Sequence, residues 1–495
     1  MYSEKHRANR HNLNEECTTL MANIKVLLLE APYSYSGGGS NLVKKYFPLG
    51  IGYLASYLRQ SGHQVKIFES SSDSFSFNDL DRQIKLFKPN LLGIGVMTPS
   101  YPRAVEICNQ VKSKHNIKTV FGGHHVSAVK EEVLKQSQEV DFAVIGEGEQ
   151  TLLELVNQLD STQPKFSKVD GLVWRDGNKI VNNPPRELIQ DIDVLPFPAR
   201  DMVDISKYGL HSYIDFGKKS VSMITSRGCP YKCIFCSSWL SMGRKYRYRS
   251  VENIMTEIRE LVEVNSVDHI VFEDDTMTLN RNRMEEICKE LIEMPNRPSW
   301  YCLSRVDTMD NSLAKLMKKA GCRMVGFGIE SGSAEVLQKI GKKISLEKAR
   351  QAVSACTKAG LRTQCTFIVG FPFDTEQTMA LTYKMAKRIN PTIAIFFPLT
   401  PYPGTKVFCE FMDQKMVPKN VKEWENYMMT DSNCGISVNK DFTGQQVRII
   451  ADKWNRSFYL RPKHWLQMIR TIKSPVEFVR LFKGGIYLFR TWLRR

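Results

Sequence analysis

Short apolar runs alternate with stretches whose apolar residues recur every three to four positions, and the alternation continues through most of the chain. From Ile24 to Leu159 the segments IKVLLLEAP, QVKIFES, NLLGIGVMT, KTVFGG and DFAVIGEGE read as strands. Between and after them, helical patterns cover LGIGYLASYLRQSG, Leu80 to Phe87, Arg103 to Lys112, Ser127 to Lys135 and Leu152 to Leu159. Such a series predicts an α/β architecture that begins with a doubly wound, Rossmann-like parallel sheet of about five strands. Ligands of these sheets sit at the carboxyl ends of the strands. The loops there are rich in small residues: Gly37-Gly38-Gly39, Thr98-Pro99-Ser100, Gly122-Gly123 and Gly146-Glu147-Gly148-Glu149. Together they suggest a large flat ligand approached closely by backbone.

Residues 161–218 are richer in proline, with GLVWRDGNKIV reading as a hairpin and LPFPARDM as a linker. A second alternating series follows, with VSMITS, HIVFED, SWYCLS, MVGFGIE, QCTFIVG and IAIFFPL as strands and amphipathic helices between them. Strands of this kind predict an open, partial (β/α)6 barrel whose site lies at the strand C-terminal rim. The expected organisation is a flexible tail over 1–22, the first sheet domain over 23–160, the hairpin and linker over 161–218, the barrel over 219–410, and a C-terminal helical segment over 411–495.

A length of 495 residues exceeds what one core usually organises, which agrees with several domains and excludes a lone binding module. With 42% hydrophobic and 24% charged residues, wholesale disorder and a polytopic membrane protein are excluded as well. The apolar runs are strand-sized, far short of the roughly 20 residues a bilayer crossing needs. The N-terminus carries no apolar core and no cleavage site, so a cytoplasmic location is expected. The net charge of +17 is concentrated at the end of the chain, where Arg456 to Arg495 holds ten Lys or Arg against the single acid Glu477. Aromatic and aliphatic residues interleave with these cations. The pattern suits either peripheral contact with an anionic membrane surface or helices packed on the barrel with a solvated basic face. No groove-reading or stacking module accompanies it, so no nucleic acid partner is expected.

Nine of the twelve cysteines are scattered and read as small buried hydrophobes, since reduced thiols are the rule without export. Cys365, within the fifth barrel strand, is either such a core residue or an acceptor pointing into the barrel. Cys229, Cys233 and Cys236 are the exception, clustered on the loop after the first barrel strand. Zinc is the plain reading of clustered thiols, but structural zinc sites want four ligands and no second pair lies near. Three thiolates on a four-iron four-sulfur cluster leave one iron open for substrate or cofactor.

The spacing C-x3-C-x2-C, with Phe235 before the last cysteine, resembles the signature of the radical S-adenosylmethionine enzymes. The resemblance extends over the barrel. It implies S-adenosylmethionine contacts at the strand ends: Glu273 and Asp274 within Phe272-Glu273-Asp274-Asp275, Ser304-Arg305, Glu330 within Gly328-Ile329-Glu330-Ser331-Gly332, and Gly370-Phe371. Pro401-Tyr402-Pro403-Gly404-Thr405 follows the sixth strand and matches as well. The N-terminal sheet with Phe47-Pro48-Leu49-Gly50, Phe121-Gly122-Gly123 and Gly146-Glu147-Gly148-Glu149 looks like that of the cobalamin-binding members. This implies cobalamin near Thr98, Ser100, Gly122, Gly123 and Gly146. The D-x-H-x-x-G motif that supplies a histidine to cobalt in many cobalamin proteins is absent, and His124-His125 beside the glycine pair is expected to mark backbone contact instead. The methylthiotransferase relatives carry three further cysteines in their N-terminal domain, whereas this one has only Cys17 and Cys108. The resemblance therefore implies reductive cleavage of S-adenosylmethionine and methylation of an unactivated carbon, with cyclisation without methyl transfer, or a non-catalytic cobalamin or metal sensor, as alternatives. A hydrophobic or lipid-like substrate and a reducing partner such as flavodoxin or ferredoxin complete the expectation.

Overall fold

The computed structural model describes residues 24–32, 47–70, 75–208, 219–413, 417–427 and 436–471. The triple glycine, the N-terminal tail and residues 472–495 of the basic C-terminus lie outside them.

The first sheet contains β1 (Lys25–Glu30), β2 (Gln64–Ile67), β3 (Leu91–Gly95), β4 (Lys118–Gly122), β5 (Phe142–Val144), β6 (Leu172–Asp176) and β7 (Lys179–Asn182). Its order is β2-β1-β3-β4-β5-β6-β7. The pairs through β5 are parallel, while β5-β6 and β6-β7 are antiparallel. The hairpin expected between domains thus extends the sheet, because Phe142, Ala143 and Val144 need a partner on their outer edge and find it in Trp174, Val173 and Leu172. The inner parallel strands β1, β3, β4 and β5 are largely buried, as in sheets covered on both faces, while the edge strand β2 is half-exposed. Helices α1 (Leu49–Gln60), α2 (Phe77–Phe87), α3 (Tyr101–Lys114), α4 (His124–Val129), α5 (Glu132–Gln136) and α6 (Glu149–Asp160) cover it. One helix expected over Ser127 to Lys135 is instead the pair α4 and α5, broken where Lys130 takes a left-handed φ of 51°.

The second sheet is six-stranded and all parallel, built from β8 (Ser220–Met223), β11 (His269–Phe272), β12 (Ser299–Ser304), β13 (Cys322–Glu330), β14 (Arg362–Val369) and β15 (Ile393–Pro398) in the order β15-β14-β13-β12-β11-β8. A small ribbon of β9 (Ser226–Arg227) and β10 (Arg247–Tyr248) follows β8. Crossover helices α7 (Val251–Glu263), α8 (Arg281–Glu293), α9 (Asn311–Lys319), α10 (Leu346–Lys358) and α11 (Glu376–Ile389) return the chain to the start of each next strand. Each carries a side-chain N-cap: Ser250, Asn280, Asp310, Ser345 and Thr375 accept from a backbone N–H one turn in. One core fills the space between these strands and helices, with Trp300, Phe327, Phe367 and Phe396 among its largest members. Cys365 belongs to that core and is fully buried.

An open barrel leaves β15 as an edge, and α12 (Gly444–Tyr459) closes it with side chains. Phe396 N–H donates to Asn455 Oδ1 at 2.9 Å, and Asn455 Nδ2 returns a bond to Phe396 O at 2.8 Å. One turn later Tyr459 accepts from Ala394 N–H at 3.2 Å and donates to Ala394 O at 2.9 Å. Two residues four apart on a helix therefore satisfy two alternate residues of a strand. Replacing Asn455 with Leu leaves both backbone groups of Phe396 without a partner and is expected to cost about 1–3 kcal/mol. Urea unfolding measures it, and an unchanged midpoint would show that the edge does not depend on this helix.

Candidate active site and its second cavity

Gly228 turns β9 into the cysteine loop with a φ of +85°, and an added Cβ there would run into the Lys245 carbonyl. The loop is then held by backbone bonds from Cys229 N–H to Gly243 O, Ile234 N–H to Ile340 O and Cys236 N–H to Cys233 O. Cys229, Cys233 and Cys236 are half-buried and line one cavity of about 460 Å3 at the carboxyl ends of the second sheet. Among the described residues no three His, Cys, Asp or Glu side chains are grouped as a single-ion site. The three thiols instead stand around a space that admits a larger group. Burial pushes the Cys229 and Cys233 thiols above their ordinary values.

Of the strand-end residues, Glu273, Ser304, Arg305 and Glu330 line this cavity. Arg305 is fixed on two sides: its guanidinium lies over the Tyr231 ring at 3.5 Å from the centroid and donates to Asp307 at 2.8 and 3.0 Å. Glu330 has a left-handed φ of 69° and accepts from Lys342 Nζ at 2.9 Å. Ser304 shares its hydroxyl with Thr278 Oγ1 at 2.6 Å.

Three residues are placed elsewhere. Asp274 is 1% exposed and points to the turn between β8 and β9, accepting from Thr225 N–H, from Thr225 Oγ1 at 2.8 Å and from Ser226 Oγ. It is Asp275 that faces the cavity. Gly370 and Phe371 point away too: both backbone N–H groups are taken by Asp374 Oδ2 at 3.1 and 2.9 Å, and the Phe371 ring packs on Phe235 in the core. The wall opposite is made by Gln364 and Thr366 of β14 and by Ile395 and Phe397 of β15. Lys342 also lines the cavity, and sequence reasoning had no signal for it, since a lysine in the run Lys339 to Lys343 reads as solvated.

A second cavity of about 440 Å3 opens at the carboxyl ends of the first sheet. Gly122, Gly123 and Gly146 line it, as do Gly50, Gly95 and Gly148. Gly123 needs its φ of +103°, and a Cβ there would meet Val96 O at 2.9 Å; at Gly50 and Gly146 nothing stands within 4 Å, so backbone faces open space. Such a cradle fits a flat macrocycle. Thr98 and Ser100 do not reach it. Thr98 Oγ1 lies 3.3 Å from buried His125 Nδ1, and Ser100 Oγ closes a turn onto the Met97 N–H and carbonyl at 3.0 and 3.1 Å. His124 does line the cavity, with Nδ1 2.7 Å from Ser241 Oγ.

The two cavities have one lining residue in common, Glu273. Burial raises its pKa to about 7, with Asp274 adding to the effect. Buried ion pairs lock the sheets together beside it: Arg227 donates to Glu147 at 3.0 Å and Glu149 at 2.6 Å, and Arg247 reaches Glu147 at 2.8 Å. All four side chains are at most 6% exposed. Arg227 also lies over the Tyr53 ring of α1, 5.1 Å from its centroid.

Residues 223–386 match the family model of the Radical SAM superfamily, and residues 36–156 match that of the B12 binding domain. An uncharacterized methyltransferase of Pyrococcus horikoshii is 36% identical over 420 residues, covering 84% of this chain and 88% of that protein. The chain belongs to the cobalamin-dependent radical S-adenosylmethionine enzymes. The cofactors of this enzyme are a four-iron four-sulfur cluster, S-adenosylmethionine and cobalamin, and it needs a reductant and a substrate. The anaerobic magnesium-protoporphyrin IX monomethyl ester cyclase of Rubrivivax gelatinosus is 31% identical, covering 77% of this chain and 69% of that protein. The solved structure of the radical S-adenosylmethionine methyltransferase TsrM from Kitasatospora setae, with cobalamin and its cluster bound, superposes with a TM-score of 0.64 at 18% identity over 82% of this chain and 81% of that one. The expected order, doubly wound sheet then partial barrel, is thus the fold of the enzyme.

Burial alone would push the Glu149 carboxyl up; Arg227 overrides this and holds it below its ordinary value of 4.5. The pair's contribution is therefore complete above pH 4.5 and is lost as the pH falls through the lower folded value. Arg227→Met strands the carboxylate and is expected to cost about 3–5 kcal/mol at neutral pH. Because an unpaired buried Glu149 takes up a proton readily, the stability gap to wild type should widen between pH 4 and pH 8. A gap independent of pH in thermal unfolding would assign the cost to lost packing instead.

Proposed function

We propose that the enzyme methylates an unactivated carbon of a hydrophobic or lipid-like substrate. The observation that carries this reading is the single shared wall at Glu273: a substrate seated there adjoins both cavities at once. In this reading Cys229, Cys233 and Cys236 hold the cluster, Glu273, Ser304, Arg305 and Glu330 contact S-adenosylmethionine, and the glycine cradle of Gly122, Gly123 and Gly146 receives cobalamin. When bound, the cluster supplies the electron that splits S-adenosylmethionine, and cobalamin carries the methyl group that is transferred.

The chain's own residues supply orientation and dryness. Arg305, clamped between Tyr231 and Asp307, presents a fixed cation to a carboxylate. Lys342 keeps Glu330 aimed through its hydrogen bond, while Val271, Tyr301, Leu303, Ile395 and Phe397 wall the cavity against water that would quench a radical. Those apolar walls also support a hydrophobic acceptor. Glu273, about half protonated at pH 7, can accept a hydrogen bond from a substrate hydroxyl or donate one to a substrate carbonyl.

The Rubrivivax cyclase gives the second reading its support, ring formation with the same cofactors and no methyl transfer. For the electron donor we favour flavodoxin or ferredoxin. Peripheral membrane contact through the C-terminus is supported by α13 (Pro462–Thr471), which leaves Trp465 46% and Leu466 60% exposed beside Lys463. No helix among the described residues is long and apolar enough to cross a membrane.

Cys233→Ala should abolish 5′-deoxyadenosine formation under dithionite and lower the iron content, while cobalamin retention by the first sheet persists. Turnover retained in that variant would sink the cluster assignment. With wild type and extracts of candidate acceptors, S-adenosylhomocysteine should accumulate with product; deoxyadenosine without S-adenosylhomocysteine would favour cyclisation.

A further inference from the structure

On the outer side of the cysteine loop lies a pit that neither cofactor reading uses. It has a volume of about 390 Å3 and is lined by Lys232, Arg244, Lys339 and Lys406 together with Trp239 and the backbone at Gly341. Among the described residues no acidic side chain lines it. The four cations come from separate stretches of chain: the cysteine loop, the turn before β10, the short helix Ala334–Lys339 and the start of the helix Lys406–Phe411. Lys339 and Lys406 make exposed pairs with Glu335 at 2.7 Å and Glu410 at 3.5 Å, which solvent screens and a partner can displace. Arg244 is held in place, donating to Tyr231 O at 2.8 Å and lying 4.5 Å from the centre of the Trp239 ring.

Cys233 lines this pit and also the cavity of the three thiols. Its sulfur stands 4.0 Å from Gly341 O, and an added Cβ at Gly341 would lie 3.0 Å from Lys232 O. One layer of chain therefore separates the surface from the thiol. We propose that this basic pit docks an acidic one-electron carrier protein and that the electron enters beside Cys233. The inference rests on the assignment of the cluster to the three cysteines. In the step proposed, the carrier loses one electron and the cluster gains it, with no bond made or broken and no proton moved. Cations suit such a contact, because electrostatic complementarity speeds encounter and sets orientation, and a contact that forms and dissolves at every turnover has no use for a large apolar face. Trp239 adds one flat aromatic surface to the lining, with Arg244 over its ring.

The test uses the holoenzyme and reduced flavodoxin as the probe. Lys339→Glu with Lys406→Glu should weaken flavodoxin binding at least ten-fold in a direct titration, and should cut flavodoxin-driven deoxyadenosine formation to match. Dithionite-driven formation and iron content should stay as in wild type. Lys232→Glu alone, as a second variant, should lower the salt dependence of binding. Unchanged flavodoxin binding in the double variant would overturn the docking site while leaving the cluster assignment intact. Failure of dithionite to drive wild type would instead remove the cluster assignment on which the proposal stands.

Discussion

Arg227 is the point on which the arrangement of the two sheets depends. It ends β9, immediately before the glycine that launches the cysteine loop, and is buried between two glutamates from the last parallel strand loop of the other sheet. A charge buried this deeply is tolerated only when its partners are in place, so the interface has one geometry that satisfies it and no sliding alternatives. Arg247 and the Ile189 carbonyl complete the set, with Glu147 also accepting from Ile189 N–H at 2.9 Å. A similar arrangement is repeated one layer away, where Glu257 of α7 receives both Arg200 of the linker, at 2.6 Å, and Arg249. The linker is thus an integral part of the seam.

That seam explains the position of Glu273. It follows β11 at the place where the open side of the barrel meets the rim of the first sheet, and its carboxyl belongs to neither body alone. Glu30, at the end of β1, is raised to about 7 by burial as well, so the second cavity carries two carboxyls that are easily neutralised. Carboxyls so easily protonated can take up a proton when an apolar substrate or a flat cofactor fills the space, so that no anion is desolvated.

Much of this was legible in the sequence for a definite reason. Parallel strands buried on both faces and helices with one apolar stripe leave strong periodic signals, and all six barrel strands lie where those signals stand. The cysteine loop was legible because three thiols in eight residues have few structural uses. Finer placement was not. Phe272-Glu273-Asp274-Asp275 shows that acids gather at a strand end, but the pleat sends Asp274 inward to Thr225 and Ser226, and no composition rule says which neighbour faces the cavity. Thr98 and Ser100 look like ligand groups because hydroxyls at loop starts often are, yet here they close their own turn and hold His125. The hairpin was legible as a hairpin, but only the bare edge of β5 explains why it joins the first sheet.

The surrogate strand made by Asn455 and Tyr459 also has a consequence in time. During synthesis β15 is complete roughly sixty residues before α12 leaves the ribosome, which at about 5–20 residues per second amounts to about 3 to 12 seconds. For that interval the nascent sheet presents a bare parallel edge with Phe396 and Ala394 unpartnered. The protein is thus most vulnerable to pairing with a neighbouring nascent chain just before α12 emerges. That helix acts as a late-arriving cover for the edge of β15.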